Sequence, residues 1–138
     1  MIITLILFSI IIIIFLYLLY KFYNSNKFYN SNNIHKIYGK VAKTDIEKMQ
    51  VALEEAKKAL TLDEVPIGAA IFDKNDNLIS SAHNMREVNQ NPILHAEIIV
   101  IQEASKIFKT WRLEDTTIAV TVEPDAMCAG AIVNARIK

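Results

Sequence analysis

Four side chains in this sequence are of types that can hold and use a metal ion: His95, Glu97, Asp125 and Cys128. Imidazole, thiolate and carboxylate are all accepted by zinc, and three protein ligands leave a fourth position for water. Zinc lowers the pKa of such a water toward about 7, which makes it a nucleophile at neutral pH. Glu97 stands two residues from His95, near enough to take and return that water's proton. The chemistry on offer is metal-assisted hydrolysis, with His95, Cys128 and Asp125 as metal ligands and Glu97 as the catalytic proton carrier.

That chemistry constrains the elements carrying it. Side chains two residues apart do not share a face of a regular helix, so His95 and Glu97 converge only if His95 sits at a helix start with Ala96 in the first turn. Asp125 and Cys128 are three apart and point the same way in a first turn. Pro124 suits that helix start because its missing N–H would be unsatisfied there anyway. The positive end of the helix favours a thiolate at Cys128.

Hydrophobic spacing predicts the remaining elements. Thr44 opens a helix with Glu47 in a capping box, and Ile46, Met49, Leu53, Ala56 and Leu60 form a stripe at helical spacing that is expected to face the core. Residues 67–72 read as a buried strand, residues 73–77 as a turn, and residues 78–82 as a second strand. Residues 83–94 read as a loop. A helix is predicted over residues 96–108, with Ile98, Ile101, Ala104 and Ile107 or Phe108 inward. A β-branched strand follows over residues 116–122, then a small-residue helix over residues 126–137. The order is α-β-β-α-β-α.

Each candidate site residue also has an ordinary role open to it. His95 alone would serve as a core histidine, Cys128 as a small buried hydrophobe, and Glu97 as a favourable charge at a helix N-terminus. Asp125 beside a proline is a good helix cap. It is the joint spacing that speaks for a site.

At 138 residues there is room for one domain, and 52% hydrophobic content is high for a soluble one. The excess lies in residues 2–20, which as a helix would span roughly 28 Å, close to the hydrocarbon thickness of a bilayer. A transmembrane anchor over residues 1–20 is expected from this. Lys21 and Lys27 after it place the remainder in the cytoplasm. The single cysteine agrees, since it excludes an internal disulfide. From Lys21 to Asn32 the hexapeptide Lys-Phe-Tyr-Asn-Ser-Asn is written twice, so residues 21–43 read as a low-complexity linker and residues 44–138 as the folded domain. Met49 offers another reading, in which everything before the mid-forties is an upstream extension and the protein is simply cytoplasmic.

Several stretches together resemble the zinc-dependent nucleoside and nucleobase deaminases, whose signature is His-x-Glu followed by Pro-Cys-x-x-Cys. They are residues 65–69 (Val-Pro-Ile-Gly-Ala), His83-Asn84, residues 92–98 around His95-Ala96-Glu97, Trp111-Arg112-Leu113, and residues 121–131. The likeness, covering residues 44–138, is strongest to bacterial-type tRNA-specific adenosine deaminases. It implies an α/β fold, a three-layer α/β/α cytidine-deaminase-like domain, with Zn2+ as cofactor. It also implies a substrate-binding role for Asn84, the anticodon loop of tRNA as partner, conversion of adenosine to inosine at the wobble position, and a homodimer.

Two features depart from the pattern. Asp125 stands where the family has the first cysteine of Pro-Cys-x-x-Cys. The chain also stops at Lys138, before the family's C-terminal strands, which leaves the third strand as an expected open edge. A formal net charge of +0 adds nothing to a nucleic-acid reading. Deamination of a free guanine or cytosine nucleobase by the same machinery, or a degenerate module without activity, remain as alternatives at this point.

Overall fold

The computed structural model describes residues 12–19 and 41–138. The chain divides into two compact units, Met1–Lys36 and Ile37–Lys138. In the first, residues 12–19 are helical. This corrects the expected transmembrane helix: among the described residues no helix is long and apolar enough to cross a membrane. The described helix, residues 12–19, rises about 12 Å against roughly 30 Å of hydrocarbon. The rest of that expected span, and residues 21–40 of the expected linker, lie outside the described residues.

The second unit is built from α1 (Asp45–Leu60), β1 (Gly68–Phe72), β2 (Leu78–His83), α2 (Ala96–Phe108), β3 (Thr117–Val120) and α3 (Ala126–Asn134). Among the described residues the sheet has the order β2-β1-β3, antiparallel throughout, with Ala69 opposite both Ala82 and Val120. The turn between β1 and β2 is tied by Asp73, whose Oδ1 accepts from the backbone N–H groups of Asn75 and Asn77 at 2.8 and 2.9 Å. Val41, at the end of the stretch read as linker, bridges to Asn77, and Ala42 is buried in the core beside it.

The central strand β1 is buried on both faces because alternate residues feed two cores. Ala69 and Ile71 pack with Ala96, Val100 and Ala104 of α2 and with Leu113 and Ala135. Ala70 and Phe72 pack with Val51 of α1, Leu78 and Ala42. Helices therefore cover the sheet from both sides, giving the three-layer α/β/α arrangement. Within the described residues β3 is paired only to β1 and forms one edge of the sheet.

Thr44 caps α1 in a full capping box with Glu47, but the buried face of the helix is not the expected one. Ile46 and Leu60 are 73% and 62% exposed, and Leu53 is exposed too. The buried residues are Lys48, Val51, Ala52, Glu55, Ala56 and Ala59. Close approach explains the choice. A Cβ on Gly68 would lie 2.0 Å from the Ala52 carbonyl oxygen and 2.5 Å from the Ala56 nitrogen, so only small side chains fit where α1 crosses the start of β1. We expect Gly68→Ala to cost about 3 kcal/mol or more, because both clashing atoms are backbone and cannot swing away. A urea titration against the unaltered chain measures it.

The two charged residues on that face are buried because they are paired. Lys48 Nζ meets Asp76 Oδ1 at 2.7 Å. Glu55 accepts hydrogen bonds from His83 Nδ1 and Ser81 Oγ, each at 2.9 Å, and from Lys58 Nζ at 2.6 Å. Burial pushes the Glu55 carboxyl up, but those bonds from His83, Lys58 and Ser81 outweigh it and hold the group at about 2, below its ordinary 4.5. A depressed carboxyl stabilises the fold above its unfolded value and loses that contribution as pH falls toward the folded one. The expected window is therefore about pH 4.5 down to 2, and the loss is at most about 3 kcal/mol. Urea unfolding across that range should show the slope in the unaltered chain and a flatter profile in Glu55→Gln.

Candidate metal centre

Two helix starts meet at the candidate site. His95 is the N-cap of α2, with extended backbone (φ −75, ψ 153), and α2 begins at Ala96. Asp125 is the N-cap of α3, also extended (φ −69, ψ 176), and α3 begins at Ala126 after Pro124. In this arrangement His95 Nδ1 lies 3.6 Å from Cys128 Sγ and 3.2 Å from Asp125 Oδ2. Ligand atoms of His95, Glu97 and Cys128 all fall within 4.8 Å of one another. Asp125 divides its carboxylate: Oδ1 accepts from the Cys128 N–H at 2.8 Å, and Oδ2 faces the imidazole. It caps the helix and faces the site at once.

The electrostatics of the metal-free site differ from the expected thiolate. Burial pushes the Cys128 thiol up to about 12, and the carboxylates of Glu97 and Asp125 push it the same way. Asp125 is held below the ordinary carboxylate value, chiefly by the Cys128 N–H it accepts from. A site with this much negative charge around a buried thiol favours a cation that displaces the thiol proton.

Zinc fits these residues. Tetrahedral ligands about 2.0–2.3 Å from the ion lie roughly 3.3–3.8 Å from one another. The separations of 3.6 and 3.2 Å around His95 Nδ1 come close to that spacing without rearrangement of the backbone. Glu97 is 4% exposed, and its Oε2 is buried without a hydrogen-bond partner among the described residues. A buried carboxylate oxygen left open on the residue grouped with His95 and Cys128 is suited to a water or a substrate proton.

Asn84, the residue assigned to substrate by resemblance, is buried at the end of β2. The Met85 N–H donates to the Leu94 carbonyl at 3.0 Å, so Asn84 and His95 flank a closed loop. The Asn84 amide nitrogen donates to Glu64 Oε2 at 2.9 Å. Glu64 escaped notice in the sequence because a carboxylate in a polar turn reads as solvated, and its partner is twenty positions away. The Glu55–His83–Ser81 cluster escaped notice for the same reason.

The chain belongs to the family of the cytidine and deoxycytidylate deaminase zinc-binding region, which its residues 42–138 match. Among individual proteins, it is 52% identical over 90 residues to the tRNA-specific adenosine deaminase of Bacillus subtilis (strain 168), covering 65% of this chain and 55% of that one. It is 44% identical over 94 residues to the protein of the same name from Haemophilus influenzae, covering 68% and 54% of the two chains. The chain thus spans about half the length of these curated relatives.

Among solved structures, one from work on A-to-I editing by tRNA:A34 deaminases superposes with a TM-score of 0.65 at 39% identity, covering 67% of each chain. Guanine deaminase from Bacillus subtilis superposes with a TM-score of 0.66 at 28% identity, covering 69% of this chain and 60% of that one. Family membership and the donor set agree on Zn2+ as the cofactor.

Proposed function

We propose that this chain is a zinc-dependent hydrolytic deaminase acting on adenosine in the anticodon loop of tRNA, converting it in place to inosine with release of ammonia. The observation that carries the reading is the convergence of His95 Nδ1, Cys128 Sγ and Asp125 Oδ2 at two helix starts, with the unpartnered Glu97 oxygen beside them. The relatives named tRNA-specific adenosine deaminase support the choice of substrate.

In this reading His95, Cys128 and Asp125 hold the metal. The chemistry that bound zinc supplies is acidification of water toward about pH 7. Glu97 would take one proton from the attacking water and pass it to the purine ring nitrogen next to the reacting carbon, then take the remaining proton of the added hydroxyl and deliver it to the amine, so that ammonia leaves as the carbonyl forms. Its burial keeps that transfer away from bulk water. Asn84 binds the nucleoside from the neighbouring loop. The same reading pairs the chain with a second copy, and light scattering of the purified protein reads its mass.

The test is direct. Purified full-length chain should carry stoichiometric zinc by elemental analysis and form inosine in an anticodon stem-loop RNA with adenosine at the wobble position. Free guanine and cytosine, run beside it, should be turned over far more slowly. Protein that is folded but lacks both zinc and inosine formation would identify the chain as a deaminase-like module without activity.

A further inference from the structure

Glu64 is buried in the turn between α1 and β1, and the chemistry above makes no use of it. Its two oxygens serve two partners in the loop that joins β2 to α2. Oε2 accepts from Asn84 Nδ2 at 2.9 Å, and Oε1 accepts from the Val88 N–H at 2.7 Å. The backbone beneath is held as well, since the Asn84 N–H donates to the Ile67 carbonyl at 2.9 Å and Met85 is tied to Leu94, one residue before His95.

A side-chain amide has a donor end and an acceptor end that exchange places when it flips, whereas an ionised carboxylate only accepts. Glu64 can therefore bond Asn84 in one orientation and not in the other. Burial makes the alternative costly, because a flipped amide would bring its oxygen against a carboxylate oxygen with no proton between them.

We propose that Glu64 is a positioning residue that locks the orientation of the Asn84 amide and so sets the pattern of donor and acceptor the site offers to the nucleoside. This rests on the reading of Asn84 as a substrate contact. Glu64→Gln is the informative change. Glutamine keeps the size of the side chain and can still accept from the Val88 N–H, but its remaining nitrogen donates, so it bonds Asn84 only after the amide flips. The clamp on the loop survives while the pattern offered to substrate reverses.

The experiment measures kcat and KM on the wobble-adenosine stem-loop for the full chain, E64Q, N84A and the double variant. Zinc content and melting temperature are recorded for each. E64Q should raise KM about tenfold or more with kcat little changed, as expected when ground-state binding is lost. In the N84A background the same change should alter KM by less than about twofold, since a residue acting through Asn84 has nothing left to act through. Should E64Q prove too unstable to assay, E64D retracts the carboxylate while keeping its charge and is put through the same cycle.

In protein labelled with 15N-asparagine, the Asn84 side-chain amide resonances should move on Glu64 substitution and exchange faster with water. That readout does not depend on turnover. If the unaltered chain forms no inosine, the substrate reading fails, while the lock itself still stands or falls on those resonances. An equal effect of E64Q with and without Asn84, an effect explained by lost zinc or lost fold, or unmoved Asn84 resonances would overturn the proposal.

Discussion

Glu97→Gln should leave zinc in place and reduce inosine formation by about a thousandfold or more, the upper part of the range for removal of a general acid–base group. The expectation follows from where the side chain sits. Glu97 is in the first turn of α2, its Oε2 is buried, and that oxygen has no partner among the described residues. Glutamine fits the same volume, so the fold and the three proposed ligands are undisturbed. What it lacks is the ability to accept a proton and hand it on. Single-turnover assays on the stem-loop RNA, with zinc measured on the same sample, separate the two effects. Undiminished turnover in a zinc-loaded E97Q protein would remove Glu97 from the mechanism.

Asp125→Cys should tighten zinc binding by about tenfold or more, because a soft thiolate replaces a harder and differently shaped carboxylate at a position already 3.2 Å from His95 Nδ1. The same change carries a cost in the absence of metal. Asp125 Oδ1 accepts from the Cys128 N–H as the cap of α3, and cysteine is a poor replacement there, so the protein in chelator should be less stable than the unaltered chain. The signature is thus a crossing: a lower melting temperature in chelator and a higher one in zinc. Competition against a chromophoric chelator gives the affinity, and thermal melts with and without metal give the crossing. A D125C protein with unchanged or weaker zinc affinity would show that position 125 acts as a cap and not as a ligand.

Much of this arrangement was legible in the sequence because it rests on local rules. A histidine and a glutamate two residues apart can converge only at a helix start, and His95 is indeed the N-cap of α2. Pro124 and Asp125 carry a capping signal, and α3 begins directly after them. The order of helices and strands follows from hydrophobic spacing and turn residues. Each of these judgements involves residues within a few positions of one another, where backbone geometry leaves few options.

What tertiary structure alone decided concerns partners far apart in the chain. Of the apolar stripe Ile46, Met49, Leu53, Ala56 and Leu60, the natural choice for the inner face of α1 by hydrophobicity, only Ala56 is buried, and the helix turns in Val51, Ala52 and Ala59 with Lys48 and Glu55 instead. The close crossing at Gly68 admits only small side chains. The two charges are tolerated because Asp76, Ser81 and His83 arrive from the β1–β2 hairpin to satisfy them.

The same holds for the pairing of Glu64 with Asn84, a hydrogen bond that exists only once the β2–α2 loop closes over the turn after α1. The state of Cys128 is also a tertiary property. A helix N-terminus by itself favours the thiolate, whereas burial and the carboxylates of Glu97 and Asp125 push the thiol's pKa up. Spacing along the chain determines where a ligand can be placed. Its ionisation depends on every charge the fold brings within a few ångströms, and no local pattern encodes that sum.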